Sequence, residues 1–149
     1  MPCPTPLALR PATEADLPFL LTLRRLAMDP HLRRCGLPTD EAAHLARIRH
    51  HWDAACIVLR DGLPVGLFKV RETPPHWHLL QLQIHPDWQG QGFGEALLRG
   101  LLVRAQAQAC EVSLNVLRGN PARRLYARLG FRPAGQDGPQ LAMRWTPAA

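Results

Sequence analysis

The segment Gln89-Gly90-Gln91-Gly92-Phe93-Gly94 carries the plainest chemistry in this chain. It joins an alternating run, Leu80 to Ile84, to an amphipathic one from about Gly92 to Ala109, so it stands where a strand hands over to a helix. A helix N-terminus presents unpaired N–H groups and a partial positive charge. Glycines let the main chain approach an anion and adopt positive φ. Successive N–H groups can then wrap a phosphate or pyrophosphate, each bond to a charged oxygen contributing about 1.5–3 kcal/mol. A nucleotide P-loop would end in Gly-Lys-Ser/Thr, which is missing. A dinucleotide fingerprint would need a third glycine where Glu95 or Leu97 stands. Glu111 lies about 20 residues on, where that fingerprint's acid would be, but the turn follows a strand meander rather than an opening βαβ unit.

Other residues with chemical capacity are scattered. Tyr126 is the only tyrosine, one helical turn after Ala122 and one before Gly130, which also suits a core position. Glu72, His76 and His78 are the candidate proton acceptors, directly or through water. The two histidines share a strand face, and a neutral imidazole suits proton removal near pH 7. Their i, i+2 spacing has no third ligand beside it, so no metal is expected. Arg123 and Arg124 open a helix, where the dipole disfavours cations; a nearby phosphate or a solvated face would accommodate them. The cysteines Cys3, Cys35, Cys56 and Cys110 match no CxxC or zinc spacing and read as reduced, with Cys56 and Cys110 in the core and Cys3 exposed.

The elements that must position these residues follow from pattern and punctuation. Leu7 to Arg10 is a short strand. Thr13 caps a helix whose apolar face is Leu17, Leu20, Leu21 and Met28, and which Pro30 ends or interrupts. A second helix runs from Thr39 to about Trp52, with Ala42, Leu45 and Ile48 on one side. Cys56–Leu59 and Val65–Val70 form a hairpin about Asp61-Gly62. After Pro74-Pro75 comes the strand His76–His85, with Leu80, Leu82 and Ile84 facing one way and Gln81 and Gln83 the other. Leu97, Leu98, Leu101, Leu102 and Ala105 stripe the next helix. Val112–Val116 is a strand. Asn120, Pro121 and Gly130 bracket a short helix as N-cap, first helical residue and terminator. The order predicts one α/β (α+β) domain over residues 1–149: a single mixed, mostly antiparallel sheet of six to seven strands flanked by about four helices.

Composition narrows the class. The 149 residues, 46% of them hydrophobic, can bury one real core. No run approaches the ~20 apolar residues of a membrane span, and the opening residues do not read as a signal peptide, so a cytoplasmic protein without membrane attachment is expected. The formal charge of +6 is spread along the chain, with Lys69 the only lysine, so nucleic acid is not the expected partner. A positive field still helps recruit a polyanion.

Two motifs in order carry a resemblance. The glycine turn fits Q/R-x-x-G-x-G/A after Ile84-His85-Pro86-Asp87. The segment Asn120-Pro121-Ala122-Arg123-Arg124-Leu125-Tyr126-Ala127-Arg128-Leu129-Gly130-Phe131 fits N-x-x-A/R-x-x-Y-x-x-x-G-F. Together, and with an element order matching from Leu7 to Trp145, they resemble the GNAT superfamily of acyl-CoA-dependent N-acyltransferases.

The resemblance implies that acetyl-CoA is the cosubstrate and that an acetyl group moves to a primary amine by direct attack. It implies that Gln89, Gly90, Gln91, Gly92, Phe93 and Gly94 hold the pyrophosphate and that the strand ending at Ile84 splays from Val112–Val116. The pantetheine arm would lie in that gap against the backbone of Gln83 and Ile84, with Asn120 beside it and Arg123 near a phosphate. Tyr126 matches the family's general acid. A non-catalytic acyl-CoA-binding module is the alternative, because Gln81, Gln83 and Asn115 stand where many members carry a glutamate base. The acceptor pocket is expected between the N-terminal helices and Pro74-Pro75, a region holding Arg24, Arg25, His31, Arg33, Arg34, Trp52 and Trp77. Few acids lie there, so an amino acid or peptide is favoured over a polycation. A homodimer is left open.

Overall fold

Alternating apolar residues bury both faces of one sheet, and the two faces collect different helices. The structure, a computed structural model, describes residues 7–149; Cys3 lies outside them. The elements are β1 (Leu7–Pro11), α1 (Leu17–Arg34), α2 (Glu41–Arg49), β2 (Ala55–Arg60), β3 (Leu63–Thr73), β4 (His76–Ile84), α3 (Phe93–Ala107), β5 (Glu111–Leu117), α4 (Ala122–Arg128), β6 (Arg132–Asp137) and β7 (Gln140–Trp145). The seven strands lie in the order β1-β2-β3-β4-β5-β7-β6. Only β4 and β5 are parallel, as the crossover through α3 requires. The fold is thus the expected mixed sheet with four helices.

On one face α3 buries Phe93, Leu98, Leu101, Leu102 and Ala105 against Trp77, Leu79, Val112 and Leu114. Each large side chain so buried contributes roughly 1.5–3 kcal/mol. On the other face Leu20 and Leu23 of α1 and Ile48 of α2 pack on Ile57 and Leu67. Val58 belongs to the first cluster and Ile57 to the second, the period-2 alternation of a strand buried on both sides.

Several expectations are corrected. α1 runs through Pro30 to Arg34. A proline leaves the carbonyl four residues back without its donor, but that carbonyl belongs to Leu26, which is 48% exposed, so the loss falls on the solvent side of the helix. Its most deeply buried apolar residues are Leu20, Leu23 and Leu32, with Leu17, Leu21 and Met28 only partly covered. The Thr13 hydroxyl donates to the Asp16 carboxylate, at 3.2 Å, and Thr13 N–H donates to the same group at 2.8 Å. α2 buries His44 with Ile48, while Ala42 is exposed. Leu80 does not share a face with Leu82 and Ile84, because β4 is irregular there.

Candidate active site

The irregularity in β4 opens the sheet. Gln81 pairs with Lys69 and Leu79 with Val70, so Leu80 is an extra residue. Such a bulge bends and twists its strand. β4 pairs with β5 only from His76↔Glu111 to Leu79↔Leu114, although the strands run on to Ile84 and Leu117. Beyond the bulge the two part.

The unpaired edge can be read from one hydrogen bond. His85 N–H donates to Val65 O at 2.8 Å, so His85 faces β3. Antiparallel alternation then turns the backbone groups of Gln83 toward β3 and those of Leu82 and Ile84 toward the gap. The main chain expected at Gln83 is therefore already engaged, and Leu82 takes its place beside Ile84. Gln89 Nε2 donates to Ile84 O at 2.9 Å and fixes the strand exit to the glycine turn.

Gly90 and Gly92 both have φ +79°, a left-handed conformation that costs other residues on the order of 1–3 kcal/mol. A Cβ on either would meet nothing within 4 Å, so the space in front of both is open. The first helical bond of α3 is Ala96 N–H to Gly92 O, at 2.9 Å. The N–H groups from Gly90 to Glu95 donate to no backbone acceptor among the described residues. They form a ready anion cradle. Phe93 is buried, its ring stacked 6.3 Å from that of Trp88.

α4 supplies the opposite wall. Asn120 Oδ1 accepts the N–H of Ala122 at 3.0 Å, and Pro121 already has helical φ −62° and ψ −17°. The cap uses the oxygen and leaves the Asn120 NH₂ uncommitted. Gly130 at φ +104° turns the chain out of the helix, and Phe131 N–H returns to Tyr126 O at 3.0 Å. The Tyr126 ring meets Phe131 edge-on at 5.8 Å. Burial pushes its phenol up to about 12, so it stays protonated at neutral pH.

Two cavities fill the gap and share Met28, Leu82, Gln83, Asn120 and Tyr126. The larger, about 410 Å³, extends past Ile84 to Gln89, Gly90, Gly92, Phe93, Gly94 and Arg128. The smaller, about 120 Å³, extends the other way to Arg24, Arg47, Leu80, Gln81 and Asn115. Gln91 and Arg123 line neither; Arg128, ion-paired to Glu95, stands where Arg123 was expected.

None of the three expected proton acceptors lines these cavities. Glu72 pairs with Arg104 on α3 at 2.6 Å, His76 with Glu111 at 3.2 Å, and His78 Nδ1 contacts Ser113 Oγ at 2.7 Å. Of the residues expected around the acceptor, Arg24 and His31 reach the cavities. Trp77 is in the α3 core, Trp52 packs with the α1 cluster, and Pro74-Pro75 lies at the far end of the β3–β4 hairpin.

Sequence reading missed a cationic group under the smaller cavity. Lys69 is buried, and its ammonium donates to the carbonyls of Arg47, Ile48 and His50 at 3.2, 2.7 and 2.6 Å. These are end-of-helix carbonyls of α2, the negative pole of its dipole. Burial, with Arg47 and Arg24 nearby, brings its pKa down to about 8. Arg47 Nη2 donates to the carbonyl of the bulge residue, Leu80, at 3.0 Å. His44 Nε2 meets Asp29 Oδ1 at 2.8 Å and ties α2 to α1. The one signal available was the lone lysine inside the apolar run Val65–Val70.

No helix of the described residues is long and apolar enough to cross a membrane, and they contain no cluster of three metal-ligating side chains. The sequence pattern of the Acetyltransferase (GNAT) family matches residues 20–131. No curated protein matches the chain. Among solved structures, the PaiA N-acetyltransferase of Thermoplasma acidophilum in complex with coenzyme A is similar, with 18% identity, 95% of this chain and 99% of that one covered, and a TM-score of 0.72. The ribosomal-protein-S18-alanine N-acetyltransferase of Escherichia coli gives 20% identity, 96% of each chain and a TM-score of 0.68. An acetyltransferase of Thermus thermophilus gives 22%, 94% and 96%, and 0.74. At these identities the likeness is one of fold.

Proposed function

The chain belongs to the acetyltransferase (GNAT) family, and from that premise we propose that the whole chain acts as one domain moving an acetyl group from acetyl-CoA to a primary amine. The observation that carries this reading is the parting of β4 from β5 at the bulge, with free N–H groups at Gly90–Glu95 at one end and a protonated Tyr126 in the middle.

The residues fit the cosubstrate. The free amides and the open space at Gly90 and Gly92 suit a pyrophosphate, and Arg128 lies beside them. The amides of a pantetheine arm would pair with the backbone of Leu82 and Ile84 as an added strand does. Gln83 and Asn120 would flank the arm with their side chains.

The amine nitrogen attacks the thioester carbonyl. A gap-facing N–H, from Leu82 or Ile84, stabilises the developing oxyanion. The C–S bond breaks, and the departing sulfur receives a hydrogen bond from the Tyr126 phenol. The new amide keeps the acetyl group, the amine's surplus proton leaves to water, and no acyl-enzyme forms. A dedicated carboxylate base is unnecessary here. Arg24, Arg47 and Lys69 surround the acceptor end, and nearby positive charge favours the neutral form of an amine.

Thiol release from acetyl-CoA in the presence of amino acids, peptides, polyamines and aminoglycosides tests the reading. Amine-dependent release supports it. Tight coenzyme A binding with no release for any amine would favour an acyl-CoA-binding module instead.

A further inference from the structure

Beneath the bulge, the structure buries charge that its own residues leave without an ion pair: Asp29, close enough to act on Arg24, is taken up by His44 and Arg33. Arg24 is 8% exposed, and among the described residues it makes no hydrogen bond or ion pair; its Nε is buried and unpaired. Gln81 is 5% exposed, with both side-chain atoms unpaired, and Gln83 has an unpaired Oε1. Arg24, Arg47 and Gln81 all line the 120 Å³ cavity, and Lys69 adds a third cation behind it. A buried guanidinium without a partner costs several kcal/mol, and so does each unpaired buried amide, though less. Such groups are kept where a ligand completes them. The cavity lining carries two guanidiniums, the side-chain amides of Gln81, Gln83, Asn115, Asn120 and Gln140, and no carboxylate, so its charge is positive throughout. Only an anion with several acceptor atoms would meet that set, and the planar guanidinium matches a carboxylate best.

The position and size narrow the ligand further. This cavity meets the larger one at Tyr126 and lies on the side away from the glycine turn, so its anion is not the pyrophosphate. At about 120 Å³ it compares with the cavity of about 150 Å³ that admits a benzene ring in an engineered protein. A few heavy atoms fit.

We propose that Arg24 and Arg47, with Gln81, form a carboxylate subsite, and that the acceptor is a small free amino acid whose amine is thereby held toward the thioester. The proposal rests on the acyl-transfer reading above. Arg47 is anchored for the role: one nitrogen holds the Leu80 carbonyl, and Lys69 holds its own carbonyl. The subsite is therefore tied to the bulge that opens the strands.

The test uses pairs of acceptors: glycine, alanine, serine, aspartate, glutamate and phenylalanine, each against its own amide and its decarboxylated amine. In thiol-release assays at least one amino acid should exceed both of its analogues by about 10²-fold in kcat/KM, the scale of two charge-assisted bonds. Arg47→Gln should raise the KM for that amino acid at least ~10-fold and shrink its preference over its own amide by a similar factor, with the KM for acetyl-CoA as the control. Arg24→Lys, which keeps the charge and loses the fork, should weaken the same acceptor less. Where turnover is too slow to measure, calorimetry on the coenzyme A complex should show N-acetyl amino acids binding more tightly than their amides. Equal turnover of the amides or decarboxylated amines, or calorimetry without that preference, overturns the subsite and leaves the acetyltransferase reading standing. Failure to bind coenzyme A at all overturns both.

Discussion

The two ends of the cleft are made of different material. The glycine-turn end is main chain: free N–H groups from Gly90 to Glu95 and two left-handed glycines. The opposite end is side chain: Arg24 from α1, Arg47 from α2, Gln81 from β4, and Lys69 from β3 behind them. On the proposed reading, main-chain donors recognise what every acyl-CoA has in common, and they cannot easily be mutated away. Side chains can be exchanged one at a time, so the acceptor can change while the cofactor end stays as it is. The difference teaches where specificity is stored.

That contrast can be broken or sharpened. The largest effect belongs to Tyr126, which lines both ends. Tyr126→Phe should lower kcat by about 10²-fold or more, the usual scale for a proton-donating group, with coenzyme A affinity unchanged by calorimetry. A parallel loss of affinity would make Tyr126 part of the cofactor wall instead. Next comes Lys69→Met. It strands three carbonyls, one of them buried and two partly so, and unfolding in urea should show a loss of about 2–3 kcal/mol. The KM for the acceptor should rise while that for acetyl-CoA holds; an equal rise in both would dissolve the division. Gly92→Ala should do the reverse. The strained φ and the lost close approach should cut coenzyme A affinity roughly tenfold, with the acceptor KM unaffected.

The smallest effect is spectroscopic. Since Tyr126 is the only tyrosine, phenolate absorbance reports it alone. Its folded pKa is raised to about 12. The stability it lends is thus fully present below roughly pH 10, the ordinary tyrosine value, and is lost as pH rises toward about 12. No phenolate should appear at the pH that half-ionises free tyrosine; a signal there would place the phenol in open solvent.

The same contrast explains what could be read in advance. Gly90, Gly92, Asn120, Pro121 and Gly130 act through their own backbone or neighbours within a few residues, so spacing was enough. The succession of strands and helices along the chain followed from turn chemistry and period. Arg24, Arg47 and Lys69 meet across 20 or more residues of chain, and no periodicity brings them together. The bulge at Leu80 was hidden because a single inserted residue keeps every local preference while shifting the face of everything before it. Pro30 misled because the general cost of an interior proline shrinks where the orphaned carbonyl is on the solvent side.

The parted strands have a further consequence. Strand edges with unpaired N–H and C=O groups invite other chains to pair with them, and proteins usually blunt them on their rims. Here such edges sit in the middle of the sheet, Leu82 and Ile84 on one side and the end of β5 on the other. α1 and α4 stand close on either hand, with Met28 and Tyr126 lining both cavities. An extended chain of amides is the partner such edges would accept. The molecule carries its sticky backbone between two helices, away from the open rims of the sheet.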